Sequence, residues 1–91
     1  MNQKISVIYS RDAYKDLMQL GKVTARRIVL KIEDNAKQAD PLARAKALTG
    51  NLAGRYRYRV GDYRVIFSID KAGHVLILKV LRIKHRKDVY R

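Results

Sequence analysis

Residues 55–67, RYRYRVGDYRVIF, alternate arginine with tyrosine. Successive side chains of a strand point to opposite faces, so the alternation predicts a row of Arg55, Arg57 and Arg59 on one face. The apolar spacing after the turn predicts that Arg64 joins this row across a hairpin. A guanidinium group is planar and can donate two parallel hydrogen bonds to phosphate oxygens. The stretch therefore predicts a surface that binds phosphate groups.

The net charge supports the same interpretation. The chain has 21 Lys and Arg against 8 Asp and Glu, a net charge of +13. Residues 1–45 carry 9 basic and 5 acidic residues, whereas residues 46–91 carry 12 basic and 3 acidic residues. Such an uneven positive charge is typical of a domain that binds a polyanion, most often a nucleic acid. A solvated basic surface and an acidic protein partner are the alternatives.

Length and composition predict a single domain over residues 1–91 with a thin core. The chain has no cysteine, which excludes disulfides and a thiolate nucleophile. The first residues do not resemble a signal peptide, and no apolar run is long enough for a membrane span. We expect a cytoplasmic protein without membrane contact. The sequence lacks phosphate-loop, dinucleotide-binding and metal-ligand motifs, so we predict neither a cofactor nor a metal site.

The first half of the chain predicts a strand followed by two helices. Residues 5–9 alternate as a short strand, and Ser10 is a candidate N-cap for a helix that stops at Gly21. Apolar residues at helical spacing predict a second helix over 24–38, ended by Asp40 and Pro41.

The second half predicts three strands after a connector at residues 40–54. The strands are expected at 55–60, 63–70 and 74–83, with turns at Gly61-Asp62 and at the DKAG sequence. The predicted fold class is α+β with the order β-α-α-β-β-β, in which a helical hairpin packs on one face of a small, mainly antiparallel sheet. The residues predicted to face this core are Tyr56, Tyr58, Val60, Val65, Phe67 and Ile69.

The segments YRYRVGDYRVIFSID and HRKDVYR, together with the connector AKALTG, resemble the RelE/ParE superfamily of bacterial toxins from toxin–antitoxin pairs. The similarity extends over nearly the whole chain, and the balance of motifs favours the RelE branch. Members of that branch are ribosome-dependent endoribonucleases that cleave mRNA in the ribosomal A site. The resemblance implies a metal-independent enzyme that inhibits translation.

The resemblance also implies the site residues. The RelE-type site corresponds here to Arg57 and Arg59 in the first strand of the hairpin, Arg64 after its turn, Arg86 after the last strand, and Tyr90. The hairpin positions hold lysines in the best-known members, and Lys84 stands where a small residue is usual. The first of these departures affects the identity of the general base.

RNA cleavage through the 2′-hydroxyl requires a base, positive charge on the phosphorane, and an acid for the leaving oxygen. Arginine stays protonated in proteins, so Arg64 and Arg86 are predicted to stabilise charge. The candidates for proton transfer are His85, Lys84 and Tyr90. Tyr90 is also a candidate for stacking on a base, and Lys84 for binding the substrate.

The resemblance implies a cognate antitoxin, which we expect to be acidic and partly disordered when alone. We expect it to wrap the helical hairpin and to displace or screen residues 86–90. Two other functions also fit the sequence. The ParE branch shares the fold and inhibits DNA gyrase, which would then be the partner in place of mRNA and the ribosome. A non-catalytic basic module that binds RNA or only the antitoxin is the third possibility.

Overall fold

The computed structural model describes residues 4–88, except the side chain of Asp88, and contains two helices packed on a five-stranded sheet. The elements in chain order are β1 (Lys4–Tyr9), α1 (Arg11–Met18), α2 (Lys22–Ala36), β2 (Lys46–Ala47), β3 (Tyr56–Val60), β4 (Tyr63–Ala72) and β5 (Val75–His85). Short 3-10 helices span Gly50–Leu52 and Arg86–Asp88. The strand order in the sheet is β1-β5-β4-β3-β2. Only the β1–β5 pair is parallel among the strands described.

The predicted α+β class and mainly antiparallel sheet are confirmed, and one small strand was missed. The connector contains β2, which is only two residues long and pairs with β3 at the sheet edge. The first helix ends at Met18, before Gly21, and the second spans 22–36 instead of 24–38. Gly21 has a φ of 81°, a conformation that favours glycine, and it directly precedes α2.

Ser10 connects the start of α1 to β5. Its Oγ accepts a hydrogen bond from the Ala13 N–H at 3.0 Å, as expected of an N-cap. The same hydroxyl donates to the Leu81 carbonyl at 2.8 Å, and the Ser10 N–H donates to the Val80 carbonyl at 2.8 Å. These bonds hold α1 beside β5, just beyond the point where the β1 pairing ends at Val80.

The core lies between the helices and one face of the sheet. Tyr58 and Phe67 are fully buried, and their ring centroids are 4.3 Å apart. The Tyr58 hydroxyl donates to the Pro41 carbonyl at 2.5 Å, which fixes the connector to the sheet. The other fully buried apolar residues are Ala13, Ile28, Ile32, Val65, Leu78 and Val80. Both helices contribute to this core. The prediction for the β3–β4 hairpin is confirmed, since Tyr58, Val60, Val65 and Phe67 are buried in the core and Tyr56 and Ile69 pack against it.

Neither described helix combines the length and the apolar character that a membrane-spanning segment needs.

Candidate functional site

Three basic residues form a row across β3, β4 and β5. Arg59 is directly opposite Arg64, and Arg64 is directly opposite Lys84. Directly opposite residues of neighbouring strands project from the same face, with Cβ atoms about 5 Å apart. The prediction that Arg64 joins the arginine row across the hairpin is therefore confirmed. Like charges at this spacing repel, so an anion bound over the row would stabilise it.

A second row runs parallel to the first, one step further along the strands. It contains Lys46 of β2, Arg57 of β3, Ile66 of β4 and Arg82 of β5, each opposite the next. Arg57 is thus in the predicted basic surface but is not among the residues that line the cleft described below. The two rows give the outer sheet face a positive charge that spans four strands.

A cleft of about 530 Å³ opens at the end of the β3–β4 hairpin. Its lining residues come from the hairpin and from the segment after β5, and they are Arg59, Gly61, Asp62, Tyr63, Arg64, Arg86 and Lys87. The cleft therefore brings together three of the sequence-predicted residues. It also contains one carboxylate, that of Asp62, among four basic side chains.

Arg86 reaches the cleft because the chain after β5 is held against the hairpin turn. The Arg86 N–H donates to the Asp62 carbonyl at 2.8 Å. The Arg86 Nε lies 3.9 Å from the Asp62 Oδ1, an ion pair between two side chains that are about two-thirds exposed. The backbone bond thus fixes the position of Arg86, while its guanidinium group stays accessible to a ligand.

An irregularity in β5 determines which of its residues share a face with Arg64. Ile66 is opposite Arg82 whereas the adjacent Phe67 is opposite Val80, so Leu81 is an extra residue in β5. Such a β-bulge reverses the alternation of the residues that follow it. As a result Ile83 is buried, with 4% exposure, and Lys84 faces Arg64.

Asp16 of α1 holds the strand just after this bulge. Its carboxylate accepts hydrogen bonds from the Arg82 Nε at 2.9 Å, the Arg82 Nη2 at 3.1 Å and the Ile83 N–H at 2.8 Å. Burial acts to raise the pKa of Asp16, but the hydrogen bonds from Arg82 and Ile83 and the charges of Arg82 and Lys84 lower it below its ordinary value. The hydrogen bond to Asp16 also raises the pKa of Arg82. The pair is therefore fully ionised near neutral pH.

His85 lies on the opposite face from the basic row. It is opposite Tyr63, and Tyr63 is opposite Val60, which belongs to the core face. The Tyr63 and His85 rings meet edge to face with centroids 5.2 Å apart, and the His85 Nδ1 accepts a hydrogen bond from the Lys87 N–H at 3.2 Å. His85 lines a depression beside α1 that includes Lys84 and shares Tyr63 with the cleft. His85 thus contacts two residues that line the cleft, Tyr63 and Lys87, but is not itself among the lining residues.

Tyr90, the remaining predicted site residue, lies outside the described residues. Sequence reasoning missed the participation of Asp62 and Lys87 in the cleft and of Lys46 and Arg82 in the second row. The GD turn between two arginine-bearing strands was a usable signal for Asp62, because a two-residue turn places its residues next to the ends of both strands. No local signal indicated that Asp16 would bind Arg82, 66 positions later.

Comparisons with known proteins agree with this architecture. Residues 7–90 match the family described as the ParE toxin of the type II toxin–antitoxin system parDE. The chain belongs to this toxin family. It is 32% identical to Toxin RelG of Mycobacterium tuberculosis over 87 residues, which cover 94% of this chain and 95% of the relative. The predicted resemblance to the RelE/ParE superfamily is confirmed.

Two solved toxin–antitoxin complexes contain chains of the same fold. The RelBE2 complex of Mycobacterium tuberculosis matches with a TM-score of 0.72 and 28% identity, covering 97% of both chains. The archaeal RelE–RelB complex of Pyrococcus horikoshii matches with a TM-score of 0.64 and 29% identity, covering 98% of this toxin chain and 100% of the other chain. This toxin is therefore similar to proteins of both the RelE and the ParE type.

Proposed function

We propose that this toxin is a ribosome-dependent endoribonuclease that cleaves mRNA by attack of a ribose 2′-hydroxyl on the adjacent phosphate. The observation that carries the proposal is the convergence of Arg59, Arg64 and Arg86 in one open cleft. The pentavalent phosphorane formed in this reaction gains negative charge on its oxygens. Preorganised donors aimed at developing charge are often the largest contribution to catalysis.

The arginines have distinct proposed roles. Arg64 and Arg86 both line the cleft and stabilise the phosphorane. Arg59 and Arg57 bind the flanking phosphates along the basic surface. Lys84, directly opposite Arg64, adds a further charge to the substrate path. Tyr90 remains a predicted residue for orienting or stacking on a base.

The proposed partner in the resting cell is a cognate antitoxin, and the proposed location is the cytoplasm. The M. tuberculosis and P. horikoshii chains were both solved as toxin–antitoxin complexes. A net charge of +13 favours an acidic antitoxin segment, because opposite charge accelerates association and disfavours wrong partners. An acidic segment that covered the cleft would prevent mRNA from reaching Arg64 and Arg86.

A second candidate function, inhibition of DNA gyrase, is favoured by the ParE family match. Such a toxin would act by binding a protein and would need no phosphate chemistry. The arginine cleft favours the ribonuclease, since three guanidinium groups in one cleft suit the binding of phosphate oxygens.

One experiment distinguishes the two functions. Purified toxin is added to a translating extract, and the 5′ ends of the message are mapped. Cuts in phase with codons are expected from the ribonuclease, and Arg64→Ala should abolish them. Intact message combined with relaxed DNA or trapped gyrase–DNA complexes in a parallel supercoiling reaction would favour the gyrase inhibitor and contradict the proposal.

A further inference from the structure

The proposed cleavage reaction requires a group that accepts the 2′-hydroxyl proton, and the arginines of the cleft cannot supply it. We propose that Asp62 is this general base. The inference rests on the proposed ribonuclease function. Asp62 lies in the turn between β3 and β4, where its backbone carbonyl anchors Arg86.

The location of Asp62 is the first argument. Its side chain lines the same cleft as Arg59, Arg64 and Arg86. It is the one carboxylate among the lining residues, all of which belong to the described part of the chain. An ionised carboxylate only accepts hydrogen bonds, so it can orient a hydroxyl group before taking its proton.

The loose ion pair with Arg86 is the second argument. The Arg86 Nε and the Asp62 Oδ1 are 3.9 Å apart, which is longer than a direct hydrogen bond. Both side chains are about two-thirds exposed, 66% for Arg86 and 64% for Asp62. A ribose hydroxyl can therefore approach the carboxylate while Arg86 turns to the phosphate that this hydroxyl attacks.

The position of His85 is the third argument. The sequence predicted His85 as the group that takes or relays the proton, but its ring packs against Tyr63 on the other face of the sheet. Its Nδ1 accepts a hydrogen bond from the Lys87 N–H. His85 is not among the residues that line the cleft, whereas Asp62 is.

The proposed step is balanced in atoms and electrons. The Asp62 carboxylate takes the proton of the 2′-hydroxyl, and the 2′-oxygen forms a bond to phosphorus. The bond between phosphorus and the 5′-oxygen breaks, and that oxygen leaves with the electron pair and takes a proton from water. The products are a 2′,3′-cyclic phosphate and a 5′-hydroxyl. Asp62 then returns its proton to solvent.

The test measures single-turnover cleavage of ribosome-bound mRNA together with affinity for that RNA. Asp62→Asn keeps size, polarity and the backbone bond to Arg86, but its amide cannot take a proton. We expect its cleavage rate to fall about 100-fold or more, the contribution typical of a general base. Its RNA affinity should be equal or higher, because a negative charge has left a cationic cleft. Asp62→Glu should recover part of the rate.

Asp70→Asn is the matched control, since it makes the same charge change at an exposed position of β4 that does not line the cleft. Its cleavage rate should equal that of the parent. A rate loss as large as that of Asp62→Asn would show that the charge change is responsible and would overturn the base role.

A double variant separates the base role from a merely structural one. If Asp62 acts only by holding Arg86, adding Asp62→Asn to Arg86→Ala should change nothing further. If Asp62 is the base, adding Asp62→Asn to Arg86→Ala should lower the cleavage rate at least about tenfold further. Equal rates for Arg86→Ala and the double variant would overturn the inference.

Two other outcomes are also decisive. Cleavage at the parental rate by Asp62→Asn, or a larger loss with His85→Gln than with Asp62→Asn, would overturn the role of Asp62 and leave the ribonuclease function standing. Intact message with the parent toxin would overturn the ribonuclease function and the base role with it.

Discussion

Two carboxylate–arginine pairs lie near the end of β5, and they differ in distance and in exposure. Asp16 and Arg82 form two hydrogen bonds of 2.9 and 3.1 Å, and the Asp16 side chain is only 14% exposed. Asp62 and Arg86 are 3.9 Å apart, and both side chains are mostly exposed. A short pair with a nearly buried member stabilises structure, whereas an exposed pair at this distance contributes little to it.

The difference indicates a structural role for the Asp16–Arg82 pair and a role in the proposed reaction for the Asp62–Arg86 pair. The Asp16 carboxylate also binds the Ile83 N–H, so it holds the strand immediately after the Leu81 bulge. That bulge turns Lys84 towards Arg64. The Asp62–Arg86 pair instead lies in the cleft, where each partner can exchange the other for a group of the substrate. The Asp16–Arg82 pair thus stabilises the arrangement of β5, and the Asp62–Arg86 pair holds the residues of the proposed reaction.

The largest difference between the two pairs should be in the cleavage rate when the arginine of each pair is replaced by alanine. Arg86→Ala should lower the single-turnover cleavage rate about 100-fold, the scale of a lost donor to transition-state charge. Its RNA affinity should change much less. Arg82→Ala should affect mainly stability, because its guanidinium is bound to Asp16. Rapid-quench cleavage assays on both variants check this, and equal rate losses would remove the distinction between the two pairs.

Replacing the two carboxylates should change the free energy of unfolding by different amounts, with the larger loss at Asp16. Asp16→Ala leaves the Ile83 N–H and the Arg82 guanidinium without their acceptor and should lower the free energy of unfolding by about 2 kcal/mol. Asp62→Ala removes an exposed, long ion pair and should cost less than about 1 kcal/mol. Urea unfolding followed by circular dichroism measures both values. A larger loss for Asp62 than for Asp16 would contradict the assignment of the structural role to Asp16.

Most of the basic surface could be predicted from the sequence. Alternation in β3 depends only on local strand geometry, so Arg57 and Arg59 were placed on one face correctly. A short turn at Gly61 also fixes the register of β4, which is why Arg64 was correctly placed opposite β3.

Beyond β4 the sequence was a poorer guide. The extra residue at Leu81 decides which face Lys84 and His85 occupy. Its only local sign is that Val80 and Leu81 are adjacent apolar residues between Lys79 and Arg82, where strict alternation would place a polar residue. It was predicted that the last strand would end at residue 83, but β5 continues to His85. The contact between Asp16 and Arg82 joins distant parts of the chain, and only the tertiary fold creates it.

Acid should weaken the Asp16–Arg82 pair. The pKa of Asp16 is lower in the folded protein than its ordinary value, so the ionised carboxylate stabilises the fold above that ordinary value, about pH 4. This stabilisation is lost as pH falls from there through the lower folded pKa. The difference in unfolding free energy between the parent and Asp16→Asn should therefore shrink at low pH. Urea unfolding between neutral and acidic pH tests this, and a constant difference would contradict it.

The smallest predicted effect is on the salt dependence of RNA affinity, which shows which arginines bind phosphate. Each lost phosphate contact with a single strand reduces the slope of log affinity against log salt by about 0.7. Arg57→Ala and Arg59→Ala should each show this reduction in fluorescence anisotropy titrations of a short RNA. Arg82→Ala is the matched control from the same face, and its slope should stay at the parental value because Asp16 already binds that guanidinium. A reduced slope for Arg82→Ala would mean that RNA displaces Asp16, and the tight pair would then belong to the binding surface as well as to the architecture.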